Sequence, residues 1–191
     1  MSGMNLFLGV LLGLGLSAST GLNTFLPLLL LSAAARFHIA GVVLGTKFAW
    51  LTSDAAMITL IVACVVELIA DKIPAVDHFL DSFGTVIRPL AGALASASVL
   101  TGVDPMVAGM VGLIVGAPTS LGLHTLKAGT RVASTATTFG CANPILSLIE
   151  DVLSFVMSVI AIVAPIVVPV VLLAFGWLAW KVSARRRASA G

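Results

Sequence analysis

The sequence predicts an all-α integral membrane protein of about five transmembrane helices, with six as the alternative count, and three observations lead there. Of 191 residues, 59% are hydrophobic and only 9% charged, whereas a soluble domain carries roughly 25% charged residues; the mean hydropathy is +1.16. Several apolar runs approach or exceed the ~20 residues that cross a hydrocarbon core of roughly 30 Å. Nothing between those runs is long enough to fold separately, so residues 1–191 read as a single transmembrane domain.

Leu6 to Ala35 and Phe155 to Trp180 contain no ionisable residue, and further runs include Ala55 to Val66, Leu90 to Val103 and Pro105 to Leu123. The first run is longer than one perpendicular crossing, and the polar segment Ser17 to Thr24 interrupts it ahead of Pro27. A broken, tilted or re-entrant helix fits it better than a straight one. Phe48 and Trp50 are placed to anchor the start of the next span at an interface. Glu67, Asp71 and Lys72 close that span, Pro74 restarts a helix, and a short amphipathic interfacial stretch is expected there. Asp104 and Pro105 supply the cap and first residue of another helix. That helix is expected to break again between Ser120 and Thr125. The last span contains Pro165 and Pro169, and Lys181 with Arg185 to Arg187 places the C-terminus in the cytoplasm. Five spans follow if Phe155 to Trp180 crosses once. Six need a hairpin at Pro165 to Pro169 and bury Glu150 and Asp151.

Gly21-Leu22-Asn23-Thr24-Phe25 and Gly122-Leu123-His124-Thr125-Leu126 match closely. Each follows a Ser/Thr cluster and a small-xxx-small pair, Gly9/Gly13 and Gly112/Gly116. A degenerate inverted repeat is expected, with one copy over about 4–103, a shortened copy over about 104–182 and a basic tail at 183–191. Two interrupted helices would then run in opposite directions and meet inside the bilayer. The plainer reading is that small residues line ordinary helix contacts.

Ionisable groups at membrane depth are costly, so Glu67, about a turn inside its apolar run, is a functional candidate, with Asp71 beside it. Ser19, Thr20, Asn23 and Thr24, with Ser120, His124 and Thr125, would line a transport path if both helices unwind. Asp77, His78 and Asp81 share two turns and could hold a divalent cation, the only cofactor suggested; a solvated interfacial helix is the simpler alternative. Arg88, Lys127 and Arg131 are candidates for an anion or lipid phosphate, although Lys127 and Arg131 read more simply as cytoplasmic anchors. Cys64 and Cys141 lack CxxC spacing and are expected as reduced, buried thiols. No catalytic triad, zinc spacing or phosphate loop is present, so no catalytic residue is assigned, and no basic and aromatic interleaving suggests nucleic acid.

Ala18-Ser19-Thr20-Gly21-Leu22-Asn23-Thr24-Phe25-Leu26-Pro27, with Glu67, Ala70-Asp71-Lys72-Ile73-Pro74, Asp77-His78, Asp81 and Arg88-Pro89-x-Gly92-Ala93, resembles the bacterial integral membrane proteins of domain-of-unknown-function family 4126. The resemblance implies a multi-pass protein of a bacterial cytoplasmic (inner) membrane and no particular activity.

The functional expectation is therefore a small transporter or channel for an ion or small polar solute, with proton or cation coupling through Glu67. A chain this short encloses little protected interior, so a homo-oligomer packed through the glycine pairs is expected. Two alternatives are a metal-dependent membrane enzyme or flippase acting on lipid phosphates, and a membrane scaffold without transport.

Overall fold

The computed structural model describes residues 3–188, with side chains over 6–73, at 76, over 82–178 and at 180–181. Among the described residues eight α-helices order as α1 (Gly3–Leu22), α2 (Phe25–Arg36), α3 (Asp54–Ala70), α4 (Pro74–Ser98), α5 (Pro105–Val111), α6 (Ala117–Thr138), α7 (Asn143–Val163) and α8 (Val168–Ala188). Short 3₁₀ turns at Ile39–Gly41, Thr46–Thr52 and Pro165–Val167 join some of them, and a π-helical turn, Gly112–Gly116, links α5 to α6.

The break between α1 and α2 is encoded locally. Pro27 cannot donate to Asn23 and would crowd its carbonyl in a continuous helix. Instead Asn23 Oδ1 accepts from Leu26 N at 3.0 Å, capping the first turn of α2. Past the break the chain turns back. Thr24 reaches Glu67 near the end of α3, whereas Arg36 donates to Thr52 O at 3.0 Å, so α2 and α3 are antiparallel. Gly45 N then donates to Ser98 O at 2.8 Å, at the end of the bundle where Gly9 lies against Val99.

The expected second break does not form. α6 runs unbroken through Ser120–Thr125. Pro118 has no N–H for Ile114, but the neighbouring residues 112–116 absorb that defect as a π turn. The position matching Pro27 in the second motif is Ala128, which leaves the helix intact.

The two motif helices also point the same way. α4 is antiparallel to α1, with Gly9 at Val99, Gly13 at Ser96 and Ser17 bonded to Gly92 O at 2.7 Å. α6 is antiparallel to α4, with Gly116 at Gly92 and Ser120 bonded to Arg88 O at 2.8 Å. α1 and α6 are therefore parallel, not inverted. The reversal at Asn23-Thr24 adds one change of direction that a simple count of crossings omits.

Gly9/Gly13 and Gly112/Gly116 are consumed inside the fold. A Cβ on Gly13 would lie 2.8 Å from Ser96 Oγ, and one on Gly116 would lie 2.8 Å from Ser96 Cβ. They let α1 and α5–α6 approach α4 and cannot also pack a second copy.

Amphipathicity is inside-out. On α7, Asn143, Ser147, Glu150, Asp151, Ser154 and Ser158 are buried while Ile145, Leu148, Val152 and Phe155 are exposed. On α3, Glu67 is buried and Ile58, Val62, Val66 and Ile69 are exposed. Helices that turn their polar face inward and their apolar face outward, beside an apolar core that includes Leu16, Leu31 and Leu51, fit a membrane protein.

By length and composition, two helices among the described residues can cross a membrane, Pro105–Thr138 and Asn143–Val163, and a third if Thr46–Thr52 and Asp54–Ala70, bent by 63°, form one span. Leu6–Leu22, Phe25–Arg36 and Pro165–Leu178 are shorter apolar helices. Phe155 to Trp180 is not one straight helix, because it is interrupted between Val163 and Val168, and Glu150 and Asp151 are both buried. Cys64 is buried and free, whereas Cys141 is free but exposed, contrary to the expectation for it.

Candidate functional site

Buried charges from α3, α4 and α6 converge on the turn between α1 and α2. The last carbonyls of a helix and the first amides of the next lack intrahelical partners, and here they face charges of the matching sign. Arg88 Nη1 donates to Gly21 O at 2.9 Å and Leu22 O at 3.2 Å, and Lys127 Nζ donates to Leu22 O at 3.0 Å. On the amide side, the Glu67 carboxylate accepts from Thr24 N at 2.9 Å, Thr24 Oγ1 at 2.7 Å and Phe25 N at 3.1 Å. Cations thus sit at the negative end of α1 and an anion at the positive end of α2, the favourable arrangement for both helix dipoles. Arg88 Nη2 and Glu67 Oε1 are 3.6 Å apart, which links the two ends.

A second layer ties α3, α6 and α7 together. Lys127 Nζ lies 3.2 Å from Asp71 Oδ2 and 3.3 Å from Glu150 Oε2. Arg131 Nη2 lies 2.7 Å from Glu150 Oε2 and 3.6 Å from Asp71 Oδ2. Lys72 Nζ bonds Asp151 Oδ2 and Ser147 Oγ, each at 2.8 Å, and Asp151 Oδ1 accepts from Asn23 Nδ2 at 3.0 Å. Glu67, Asp71, Glu150 and Asp151 are balanced by Arg88, Lys72, Lys127 and Arg131, and of these eight only Lys72 is not buried. Desolvating so many charges is tolerable only because each has a close opposite partner. Asp71 Oδ1 is buried without a hydrogen bond among the described residues.

Beneath these layers α1, α4 and α6 cross through small residues. Thr20 Oγ1 donates to Ser120 Oγ at 3.0 Å. A Cβ on Gly21 would lie 2.6 Å from Leu123 Cβ, and one on Gly92 would lie 2.6 Å from Ser120 Cβ. The two Gly-Leu-Asn/His-Thr motifs therefore do meet, as packing partners rather than as two unwound helices.

Of the sequence-predicted residues, Ser19, Thr20, Asn23, Thr24, Glu67, Asp71, Ser120 and His124 are all buried in this region. Ser19 serves packing, because its hydroxyl donates to Gly15 O and its carbonyl accepts from Ser154. His124 Nε2 lies 3.3 Å from Thr85 Oγ1. Thr125 points away, exposed, and its hydroxyl donates to Gly122 O. Lys127 and Arg131, read as surface anchors or lipid-phosphate ligands, are instead buried, 3% and 2% exposed. Arg88 is buried as well. Asp77, His78 and Asp81 lie on α4, but their side chains fall outside those described, as do those of Arg185 to Arg187. Among the described residues no group of three His, Cys, Asp or Glu side chains has the geometry of a metal site.

Glu150, Asp151 and Lys72 are not among the site candidates that the sequence singles out, yet all three belong to this charge network. A signal existed: Ser120, His124, Lys127 and Arg131, like Asn143, Ser147, Glu150, Ser154 and Ser158, recur at helical spacing on one face of their helices.

An open groove of about 470 Å³ reaches the site between α3 and α4. Ile58, Val62 and Val66 form one wall and Phe83 and Ile87 the other, with Thr24, Phe25, Glu67 and Arg88 also among its lining.

Residues 10–185 match the model of a family described as a domain of unknown function, DUF4126. No curated protein and no solved structure matches the chain.

Proposed function

The chain belongs to this family of unknown function, and we propose that it is a small transporter or channel that moves an ion or small polar solute across a bacterial cytoplasmic membrane, its basic C-terminal tail inside. One observation carries the reading: the interruption at Asn23-Thr24, where backbone groups of two helix ends, lacking intrahelical partners, are bonded by buried charges from α3, α4 and α6. Discontinuous helices of this kind are how many membrane carriers present a polar site inside the bilayer.

In the arrangement described, Glu67, Arg88 and Lys127 saturate the backbone groups of the break and close the path. A solute passes by competing for the carbonyls of Gly21 and Leu22 or the amides of Thr24 and Phe25. Asp71 Oδ1, with no hydrogen bond among the described residues, gives Lys127 or Arg131 an acceptor to move onto while it does so. Gly122 and Gly129 have open space around them and offer a face for a homo-oligomer now that the other glycine pairs are taken.

The test is flux in liposomes with purified Glu67→Gln. An amide accepts at one atom only and turns an N–H toward the donors of Thr24 and Phe25. Loss of a charge-assisted hydrogen bond, ~1.5–3 kcal/mol, is expected to alter ion or proton flux by about tenfold or more. Flux of every tested ion and of protons equal to wild type removes Glu67 from the transport mechanism.

A further inference from the structure

We propose that Lys72, Asp151 and Asn23 form a relay that governs the helix break from the joint between α3 and α4, with Asp151 as the residue that positions the Asn23 cap.

α3 and α4 are joined by only Asp71–Ile73, and Lys72 stands in the middle of that joint. Its ammonium donates to Asp151 Oδ2 and Ser147 Oγ, each at 2.8 Å, which clasps the joint to α7. Asp151 Oδ1 in turn accepts from Asn23 Nδ2 at 3.0 Å, and Asn23 Oδ1 accepts from Leu26 N at 3.0 Å. Three hydrogen bonds in series therefore lead from Lys72 to the first turn of α2.

The orientation of the middle group is forced. A carboxylate ion-paired with an ammonium offers only acceptors, so Asn23 turns its NH2 toward Asp151. Its oxygen then faces Leu26 N, the one orientation in which this amide caps the helix. The opposite orientation sets an NH2 against the Leu26 N–H and oxygen against oxygen at Asp151. Asn23 is 0% exposed, so bulk water makes good neither loss. At the other end of the series Lys72 is the only one of the eight network charges that is not buried, its side chain 35% exposed against 9% for Asp151. The relay thus runs from the surface to the break. When the joint moves off α7, Asp151 is left as a buried carboxylate without that counter-ion, a costly state that rotation toward another cation relieves. Such a rotation releases the Asn23 amide and uncaps α2.

The relay would regulate passage only if the break is the transport site, and in that respect the inference rests on the transporter reading; the control of the cap does not. The test is hydrogen exchange of single amides in purified protein held in phosphatidylcholine nanodiscs. Leu26 N is capped by Asn23, whereas Phe25 N is held by Glu67, so Phe25 reports any general loosening of the fold. In Asp151→Asn the new oxygen goes to Lys72 and the new NH2 meets that of Asn23, which must flip. Exchange at Leu26 is expected to quicken by about five- to tenfold, with Phe25 unchanged. Lys72→Met is expected to quicken Leu26 in the same selective way, and Lys72→Arg to leave it as in wild type. Asn23→Asp combined with Asp151→Asn keeps the net charge and restores every bond with one reversed: the amide at 151 donates to the carboxylate at 23, whose second oxygen caps Leu26. That double variant is expected to return Leu26 to wild-type exchange.

Equal acceleration of Leu26 and Phe25, wild-type exchange at Leu26 in Asp151→Asn or Lys72→Met, or a double variant no better than its parents would each overturn the proposal. Should Asp151→Asn not fold, the double variant decides: it folds with Leu26 protected, or the relay is wrong. Selective loss of Leu26 protection with every ion and proton flux in liposomes at the wild-type level removes the transporter reading and keeps the relay. Flux sensitive to Glu67→Gln, with Leu26 indifferent to Lys72 and Asp151, does the reverse.

Discussion

At the scale of the residue, Glu67 acts first as a cap: its carboxylate satisfies donors of a helix that begins in the interior. Glu67→Ala strands those donors and removes the buried carboxylate 3.6 Å from Arg88, so a loss of about 3–5 kcal/mol is expected, the usual cost of breaking a buried ion pair. Thermal unfolding in detergent measures it. Lys127 touches both Asp71 and Glu150, so Lys127→Met and Asp71→Asn are expected to be non-additive by ~0.5–3 kcal/mol in a double-mutant cycle. Additive effects would show that the two do not share a network. Glu67 and Asp71 were legible in the sequence because a carboxylate inside an apolar run has few explanations. Lys127, Arg131 and Glu150 were not, since cations and acids at the margins of apolar runs serve equally well as surface anchors until the opposing helix is known.

At the scale of the element, the same five-residue motif has two outcomes. Gly21-Leu22-Asn23-Thr24-Phe25 ends a helix, and Gly122-Leu123-His124-Thr125-Leu126 sits inside one. The difference lies in one motif position and in the flanks: the capping Asn23 and the following Pro27 in the first, His124 and Ala128 with the earlier Pro118 in the second. Pro27→Ala is therefore expected to lengthen helical protection across residues 23–27 in hydrogen exchange, and unchanged exchange there would show that Asn23 and Glu67 alone set the break. The glycines separate in the same way. Gly92→Leu overpacks the crossing of α1, α4 and α6 and is expected to cost at least about 1–3 kcal/mol. Gly122→Ala, with nothing near its added Cβ, is expected to be neutral or to stabilise by up to ~1 kcal/mol through helix propensity. Equal melting temperatures for the two variants would contradict the crossing.

At the scale of the whole molecule, an apolar exterior surrounds an interior in which an apolar core lies beside buried ion pairs, and that distribution predicts accessibility. Cys141 is exposed at the turn between α6 and α7, and Cys64 is buried in α3. A membrane-impermeant maleimide is expected to label Cys141 from one side of sealed vesicles and to spare Cys64 until the protein is denatured; rapid labelling of Cys64 would mean that α3 packs differently.

Composition and run length by themselves determined that this chain is helical, apolar outside and broken near Asn23, because each depends on residues within one or two turns of each other. Family membership was legible for the same reason, through contiguous motifs. Helix direction, the fate of the second motif and the identity of the charge partners were decided only in three dimensions. Asn23 and Asp151 lie 128 positions apart and Lys127 and Asp71 lie 56 apart, and a periodic pattern says which face of a helix is polar but not which helix will meet it.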